Sequence, residues 1–430
     1  MLMEAPPRAL ARANGKAGTR IRVELLVALI CALAIPALVA IAFFREPALP
    51  TPEAQLSLTL SGIAALASVY IRRQLAPFPG IRAAEHALPG LVLCFGLAIG
   101  AVLLLRLDYS RVILATGFVA CLAGQLLLLA RNRTGSAGRF WLVPLGRADR
   151  LRRIANAGWT MLDTPRVPAA AAGQGIAADL HADLPDAWER MLAAAVLRGI
   201  PVYHFKQLEE ALTGRVDIEH MAENTLGSLT PDRFHYKFKR GADLALSLIL
   251  LPLLLPLFAL VALAIRLDSP GPVIFRQERM GERGRPFRVI KFRTMTVAQD
   301  RSDERASAIT QSGDQRITRI GSFLRRTRID ELPQIFNVLA GQMSWIGPRP
   351  EALALSQWYD ASLPFYAYRH IVKPGITGWA QVNQGHVAEL PEVHDKLRYD
   401  FFYIKNFSAW LDLLILARTL RVLASGFGAK

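Results

Sequence analysis

The chain has 430 residues, enough for two or three domains, and its composition is both apolar and basic. Hydrophobic residues make up 52% and charged residues 20%, below the roughly 25% of an ordinary soluble protein, yet 51 Lys and Arg against 35 Asp and Glu give a net charge of +16. This balance excludes a disordered chain, a fibrous protein and a secreted disulfide scaffold. It leaves a membrane protein with basic flanks or an unusual nucleic-acid-binding protein.

Four apolar stretches in the first third of the chain predict a membrane bundle. They lie at about residues 23–44, 56–71, 87–105 and 112–130. At about 1.5 Å per residue, each is long enough to cross or nearly cross a hydrocarbon core of about 30 Å, although the second is short. Basic residues collect before the first stretch, between the second and third, and after the fourth. The positive-inside rule therefore places both ends of the bundle in the cytoplasm.

Neither cysteine nor histidine predicts a metal or redox centre. The three cysteines, Cys31, Cys94 and Cys121, lie within the apolar stretches, which is typical of small hydrophobic residues in membrane helices. The eight histidines show no HxxH or HExxH spacing, so no zinc site is expected.

Residues of about 140–236 predict a small cytoplasmic α/β module with a Rossmann-like order of elements. An amphipathic helix at Asp186–Arg198 ends at Gly199, and a strand at Ile200–Phe205 and a second helix at Lys206–Leu212 follow it. This order favours parallel strands. Because no GxGxxG is present, we expect a structural or regulatory module rather than a nucleotide site.

A fifth apolar segment, Leu244–Leu267, predicts a membrane helix that does not cross, although length alone favours a span. Pro252 and Pro256 lie in its middle, and each removes a backbone donor and favours a bend. Both flanks are basic, so a spanning helix would place one basic flank outside, against the charge rule. We therefore predict a re-entrant helix at about residues 241–267, broken at the two prolines.

A basic segment follows this helix and has a strand-like pattern. Phe287–Met295 alternates in polarity, so Lys291 and Arg293 share one face of a strand and could converge on phosphates. Attraction to anionic lipid headgroups is the simpler alternative, since it requires only charge near a membrane.

The strongest motif is the acidic pair Asp330–Glu331 within Phe323–Leu339. Asp330 suits the N-cap of an amphipathic helix, and three arginines, of which Arg325 is the first, precede it. A carboxylate at a helix N-terminus beside arginines is held ionised, so it is available as a nucleophile or a metal ligand. A charged helix cap without catalytic function is the alternative.

Two glycine- and proline-containing motifs lie further along the chain. In Gly347–Pro350, Arg349 lies between two prolines that restrict the backbone, which suits recognition of an anion. In Lys373–Val382, glycines predict a tight turn with exposed N–H groups next to a lysine. Trp379 in this segment either stacks on a base or packs in the core.

Together these motifs resemble the bacterial sugar transferases, that is, the monotopic-type phosphoglycosyl transferases or polyprenyl-phosphate hexose-1-phosphate transferases. The resemblance covers about Tyr236–Gly426, and the segments before it look like those of the long polytopic branch. The motifs that carry it are Lys239–Arg240 with Asp243, the proline-containing helix, Ser269–Gly281, KFRTM at 291–295, RIDELPQIFNVLAGQMSWIGPRP at 328–350 and KPGITGWAQV at 373–382.

The resemblance and the segment patterns imply three domains. These are a membrane α-helical bundle (1–135), a small α/β module (140–236), and an α/β-containing catalytic domain with the re-entrant helix (237–430). The implied reaction transfers a sugar 1-phosphate from a UDP-sugar to undecaprenyl phosphate and releases UMP, which initiates exopolysaccharide, capsule or O-antigen synthesis. The implied location is the cytoplasmic face of the bacterial inner membrane. Membrane lipids are partners, a homo-oligomer is possible, and no nucleic acid is expected.

The resemblance also implies roles for the matching residues. Asp330 would attack the sugar-bearing phosphorus and carry the phosphosugar until the lipid phosphate takes it over. Mg²⁺, held by Asp330 and Glu331, would offset the diphosphate charge, and Glu331 acts either as a metal ligand or as an acid/base. Lys291, Arg325 and Arg349 fall where the family places phosphate-binding cations, and Arg293 joins them through the strand pattern. Asp243 would cap the re-entrant helix or pair with a basic neighbour.

The chain departs from the family pattern at two positions. Leu255 rather than Ser precedes Pro256, so the hydrogen bonding at the helix break is expected to differ. Arg328 stands where a small residue is usual, and would tune phosphate affinity or point to the membrane surface.

Two other classes of function were weighed against the enzyme. A transporter or exporter subunit would need paired polar residues inside its apolar segments, and these are few, chiefly Ser61, Ser68 and Gln125. A catalytically inactive membrane scaffold would lack Asp330 or Arg349, and both are present. The last helical pattern, Trp410–Leu423, predicts an interfacial helix, with a buried amphipathic helix as the alternative.

Overall fold

The computed structural model describes residues 21–44, 51–75, 87–131, 139–155, 157–168, 175–217, 233–296, 316–384 and 390–425. The chain divides into two compact units, residues 1–214 and 215–430. The finer division into three domains stays a prediction.

The first unit begins with four apolar helices at the predicted positions. They are α1 (21–44, with a π-helical turn at Ile30–Ala34), α2 (Pro52–Leu75), α3 (Ala87–Leu104) and α4 (Arg111–Arg131). Helices α1, α2 and α4 are long and apolar enough to cross a membrane, whereas the apolar part of α3, Gly90–Leu104, is shorter. Helix α2 reaches spanning length because it continues beyond its short apolar run at both ends.

Small and paired polar residues hold these helices together. A Cβ atom at Gly117 of α4 would lie 2.2 Å from Ser61 Oγ of α2, so only glycine allows this close approach. Gln125 Nε2 of α4 donates a hydrogen bond to Ser68 Oγ of α2 at 2.8 Å, and both residues are buried. The bond between Gln125 and Ser68 therefore stabilises the contact between α2 and α4.

The rest of the first unit contains the predicted parallel sheet. Its strands are β1 (Arg139–Leu142), β2 (Gly158–Met161), β3 (Gly175–Ala178) and β4 (Val202–His204), in the order β2-β1-β3-β4. Helix α5 (Asp186–Leu197) follows β3, and α6 (Phe205–Thr213) follows β4. Gly199 has a φ of 75°, a left-handed conformation that ends α5 as predicted. The first three strands escaped sequence reasoning because four residues are too few for a clear pattern.

The second unit combines one long apolar helix, α7 (Arg233–Asp268), with an α/β fold. Strands β5 (Ile274–Met280) and β6 (Pro286–Phe292) form an antiparallel hairpin, and β7 (Ser344–Ile346) pairs in parallel with β8 (Gly375–Thr377). The other helices are α8 (Arg319–Thr327), α9 (Ile335–Leu339), α10 (Leu353–Ser362), α11 (Trp379–Asn383), α12 (Leu390–Lys405) and α13 (Ala409–Ser425), with 3₁₀ turns at Ile329–Gln334 and Tyr366–Ile371.

Helix α7 is helical throughout its length, and Pro252 and Pro256 both lie inside it. Within 233–268 there is therefore no non-helical segment at the predicted break. By length and composition α7 is a fourth helix able to cross a membrane. Its middle is exposed: Ile249 is 72% and Leu253 is 74% accessible.

Both ends of α7 pack on the α/β fold of the second unit. Near its start, Asp243 accepts a hydrogen bond from the backbone N–H of Trp345 (3.2 Å), and Trp345 Nε1 donates to Ser247 Oγ (3.0 Å). Asp243 thus pairs with β7 rather than capping its own helix. Near the end of α7, Val261 and Ile265 lie in a buried apolar cluster with residues of β6 and α8.

Helix α13 buries one face and exposes another. Leu411, Leu414 and Ile415 are buried, whereas Leu416 and Leu420 are 43% and 54% accessible. The buried face matches the amphipathic alternative, in which α13 packs on its own unit.

Candidate active site

The acidic pair lies in a 3₁₀ turn between α8 and α9. The turn spans Ile329–Gln334, and Arg328 precedes it with a φ of 60°. The prediction that Asp330 is the N-cap is therefore wrong: Arg328 occupies that position, and both acids lie in the first turn. A non-glycine residue with positive φ is strained, and such strain is common at functional sites.

Helix α9 is fixed to strand β6 by one buried amide. Asn337 Oδ1 accepts a hydrogen bond from the backbone N–H of Ile290 (3.0 Å), and its Nδ2 donates to the carbonyl of Arg288 (2.8 Å). Since Lys291 is the next residue of β6, this contact sets the strand that carries Lys291 against the helix that follows the acidic pair.

Glu331 is the centre of a buried cluster of charges. Lys291 Nζ donates to Glu331 Oε1 at 2.8 Å. Arg349 donates from Nη2 to the same oxygen at 2.7 Å and from Nη1 to Oε2 at 3.3 Å. The accessible fractions of the three side chains are only 8–15%. These two cations hold the pKa of Glu331 well below its usual range, although burial alone would raise it.

Asp330 differs sharply from its neighbour. It is 8% accessible, and its Oδ1 has no hydrogen-bond partner among the described residues. Burial, and then the charge of Glu331, raise the pKa of Asp330 to about 6, while Lys291 and Arg349 act in the opposite direction. The helix dipole and the arginines were expected to lower the pKa of Asp330, whereas its pKa is raised. A carboxyl group with this pKa is still about nine-tenths ionised at pH 7.

The pKa of Lys291 lies nearer to physiological pH than that of an ordinary lysine. Burial lowers the pKa of its ammonium group to about 8, while the nearby carboxylate of Glu331 raises it and Arg349 lowers it. The charge of Lys291 is therefore maintained largely by its ion pair with Glu331.

Arg293, one of the predicted phosphate-binding cations, bonds to groups outside this cluster. Arg293, buried at 5% accessible, donates to the carbonyls of Ser269 (2.7 Å) and Pro270 (2.9 Å) just after α7. Arg293 therefore ties the end of the membrane helix to β6. Arg325 lies half-buried in the last turn of α8.

Gly375 of the KPGITGW motif serves close packing, and its N–H group is bonded within the protein. Gly375 N donates to the Pro348 carbonyl (2.9 Å), and Gly347 N donates to the Thr377 carbonyl (2.8 Å). A Cβ atom at Gly375 would lie 2.1 Å from the nitrogen of Gly347. The predicted exposed turn is therefore corrected to a tight contact that supports the loop of Arg349.

Trp379 is a core residue. It is 3% accessible, and its ring stacks on Phe402 with centroids 5.4 Å apart. The guanidinium of Arg418 lies 4.3 Å from the ring centroid of Trp379 in a cation–π contact. Base stacking by Trp379 is not supported by this placement.

A set of buried charges behind Arg349 was missed by sequence reasoning. It comprises Arg279, Glu351, Arg369, Lys396 and Asp400, which form ion pairs or hydrogen bonds with one another or with the Arg349 loop. Two signals were present in the sequence. Arg279 lies inside the motif Ser269–Gly281, and Lys396 and Asp400 are four residues apart on one helix face.

Among the described residues, one group in the first unit has metal-ligand chemistry: Asp179, His181 and His204, within 4.8 Å of one another. Asp179 already accepts backbone N–H bonds from Arg147 and His181, and His204 Nδ1 accepts one from Leu180. A ligating histidine normally donates from its second nitrogen. These bonds therefore favour a hydrogen-bonded turn at the sheet edge over a metal centre.

The chain is similar to one protein family and to several known proteins. The family model described as bacterial sugar transferase matches residues 234–426. The UDP-N-acetylgalactosamine-undecaprenyl-phosphate N-acetylgalactosaminephosphotransferase of Aeromonas hydrophila is 44% identical over 354 residues, which cover 82% of this chain and 83% of the relative. The UDP-glucose:undecaprenyl-phosphate glucose-1-phosphate transferase of Escherichia coli K12 is 46% identical over 184 residues, 42% of this chain and 39% of the relative. The exopolysaccharide production protein PSS of Rhizobium leguminosarum is 42% identical over 187 residues, 42% of this chain and 92% of the relative.

Proposed function

Because the chain belongs to the bacterial sugar transferase family, we propose that it transfers a sugar 1-phosphate from a UDP-sugar to undecaprenyl phosphate and releases UMP. The observation that carries the proposal is the buried cluster of Lys291, Glu331 and Arg349 beside Asp330, an arrangement suited to a diphosphate and a nucleophile. The named activities of the relatives support the same reaction.

The reaction proceeds in two displacements at phosphorus. In the first, a carboxylate oxygen of Asp330 bonds to the sugar-bearing phosphorus, and the bond from that phosphorus to the oxygen bridging the two phosphates breaks, so UMP leaves with the electron pair. In the second, an oxygen of the lipid phosphate bonds to the same phosphorus and the bond to Asp330 breaks. The carboxylate is regenerated, and the product is a polyprenyl-diphosphate sugar.

Lys291 and Arg349 stabilise the phosphates in this proposal. Each cation carries more N–H donors than its bonds to Glu331 use among the described residues, so both can also reach a phosphate oxygen. Glu331 then serves to hold the two cations in place and charged, rather than to transfer a proton.

The site also fits Mg²⁺ at Asp330. The unpartnered, buried Oδ1 of Asp330 is the type of oxygen ligand that Mg²⁺ takes together with substrate phosphates. Both oxygens of Glu331 already accept bonds from cations, so Glu331 lies outside this ligand set. When bound, Mg²⁺ would neutralise charge on the diphosphate.

N-acetylgalactosamine is the sugar we propose. The relative that matches across most of both chains is named for it, whereas the matches to the glucose-1-phosphate transferases cover less than half of this chain. The product would initiate a surface polysaccharide at the cytoplasmic face of the bacterial inner membrane.

Helix α7 is proposed to enter and leave the membrane on that face. Its two ends are buried against the same α/β fold, through Ser247 near the start and Ile265 near the end, while its apolar middle is exposed. A straight helix of 36 residues would extend about 54 Å, and two prolines favour a bend instead.

The test is UMP release by the purified full-length protein in lipid nanodiscs with undecaprenyl phosphate. UDP-N-acetylgalactosamine, UDP-N-acetylglucosamine, UDP-glucose and UDP-galactose are compared at equal concentrations with Mg²⁺. Lipid-dependent UMP release with UDP-N-acetylgalactosamine supports the proposal. Release with another sugar alone overturns the sugar assignment, and release with none overturns the reaction.

A further inference from the structure

The segment Arg349–Glu351, which follows Pro348, is held from behind at three consecutive residues. The carbonyl of Arg349 accepts a hydrogen bond from Arg369 Nη2 at 2.9 Å. The carbonyl of Pro350 accepts one from Arg279 Nη1. The carbonyl of Glu351 accepts one from the backbone N–H of Met280 at 3.0 Å. The side chain that this fixed segment presents to Glu331 is Arg349.

Arg369 is built into this position by its own partners. Its Nε and Nη2 donate to Asp400 Oδ2 at 3.0 and 2.7 Å, and Nη1 donates to Tyr366 Oη at 3.0 Å. Both members of the Arg369–Asp400 pair are 2% accessible. A guanidinium with a fixed plane and three engaged nitrogens has little freedom, so its bond to the Arg349 carbonyl is set by geometry.

Glu351 and Lys396 complete the support. They form a close ion pair in which both side chains are at most 15% accessible. Lys396, and then Arg369, lower the pKa of Glu351 well below its usual range despite its burial. Arg369 is thus compensated by Asp400, and Lys396 by Glu351. Arg349 and Lys291 pair instead with Glu331.

We propose that Arg369 and Arg279 are positioning residues that clamp the Arg349–Glu351 segment so that the Arg349 guanidinium is aimed at the diphosphate. This inference rests on the proposed function for the nature of the anion. The physical reason is that a cation placed about 1 Å from its productive position loses much of its contribution to transition-state binding, while its charge is unchanged.

The test is a double-mutant cycle with Arg349→Lys, Arg369→Lys and their combination, and a second cycle with Arg279→Lys. Lysine keeps the charge but cannot reproduce the fixed guanidinium fork. We measure kcat and KM for UDP-N-acetylgalactosamine in nanodiscs. Glu24→Gln is the matched control, since Glu24 pairs with Arg72 in a comparably buried ion pair of the first unit, whereas the loop belongs to the second.

We expect each single positioning variant to lower kcat/KM by about tenfold or more. Since Arg369 and Arg279 act through Arg349, each double variant should be no more than about twofold below Arg349→Lys alone. Glu24→Gln should lower the unfolding midpoint and leave KM unchanged. Multiplicative losses in both cycles would overturn the inference.

Hydrogen exchange provides a readout that does not need turnover. The amide of Met280 donates to the carbonyl of Glu351 in the clamped segment at 3.0 Å. The amide of Gly347, which precedes Pro348, donates to the carbonyl of Thr377 at 2.8 Å. Arg369→Lys should speed their exchange relative to wild type and to Glu24→Gln. Unchanged exchange in Arg369→Lys would overturn the clamp, whether or not the wild type turns over a UDP-sugar. Faster exchange together with an inactive wild type would support the clamp and overturn the proposed reaction.

Discussion

Glu331 and Arg349 form a two-point ion pair, with 2.7 and 3.3 Å between their nitrogen and oxygen atoms, although they lie 18 residues apart in the chain. The same carboxylate also accepts from Lys291. One acid thus compensates two buried cations, and the neighbouring acid, Asp330, is left without such a partner among the described residues. The two carboxylates of one dipeptide therefore have opposite pKa shifts, and this difference suits different roles.

Asp330→Asn should abolish turnover and stabilise the protein at pH 7. The loss of the nucleophile is expected to lower UMP release by about a thousandfold or more. The pKa of Asp330 is raised by burial, so the folded state binds this proton more tightly and stability falls as pH rises through about 6. Removing the charge should raise the unfolding midpoint by about 2 °C or more. Asp360→Asn, at an exposed position of α10, is the control. Wild-type turnover by Asp330→Asn would contradict the assignment.

The first half-reaction should have a bell-shaped pH dependence. Below about 6, Asp330 is protonated and cannot attack, and above about 8 Lys291 loses the charge that stabilises phosphate. Single-turnover UMP release without lipid phosphate isolates this step from the titration of the lipid. Lys291→Arg, which stays charged, should remove the alkaline limb and keep the acidic one. If the alkaline limb persists in that variant, another group causes it.

The sequence predicted the segments of this protein better than their contacts. Apolar runs are long, so α1, α2, α4 and α7 were predictable, whereas strands of three or four residues carry too little pattern. The strand period predicted one face for Lys291 and Arg293, whereas β6 ends at Phe292, one residue before Arg293. It could not show that the chain returning from α7 presents the carbonyls of Ser269 and Pro270 to Arg293.

The candidate site was identified through its motifs, but its electrostatics were not. The pairing of Glu331 with Lys291 joins residues 40 positions apart, and such contacts depend on tertiary packing that no local pattern encodes. The N-cap assignment of Asp330 failed for a local reason. Pro333 has no N–H to donate to the carbonyl of Ile329, as an α-helix starting there would need, and the chain forms a 3₁₀ turn from Ile329 instead.

Glu331→Gln should separate the ion-pair role from that of a metal ligand. The variant keeps the shape but leaves two buried cations uncompensated, so we expect a loss of about 3 kcal/mol or more in stability. The alkaline limb should move to lower pH, because Glu331 is the main influence that raises the pKa of Lys291. The Mg²⁺ concentration for half-maximal activity should not change. A marked increase in that concentration would instead identify Glu331 as a ligand. Glu278→Gln, which breaks an exposed ion pair with Arg288, is the control.

Cysteines at the two ends of α7 should react from the same side of the membrane. In a background with Cys31→Ala, Cys94→Ala and Cys121→Ala, single cysteines replace Lys239 or Arg276, which flank the apolar segment, and Arg106, which lies between α3 and α4. A membrane-impermeant maleimide is applied to right-side-out and inverted inner-membrane vesicles. The basic flanks and the prolines of α7 lead us to expect both flanking positions to be labelled only in inverted vesicles, and Arg106→Cys only in right-side-out ones. Labelling of Lys239→Cys and Arg276→Cys from opposite sides would make α7 a spanning helix and would overturn its re-entrant course.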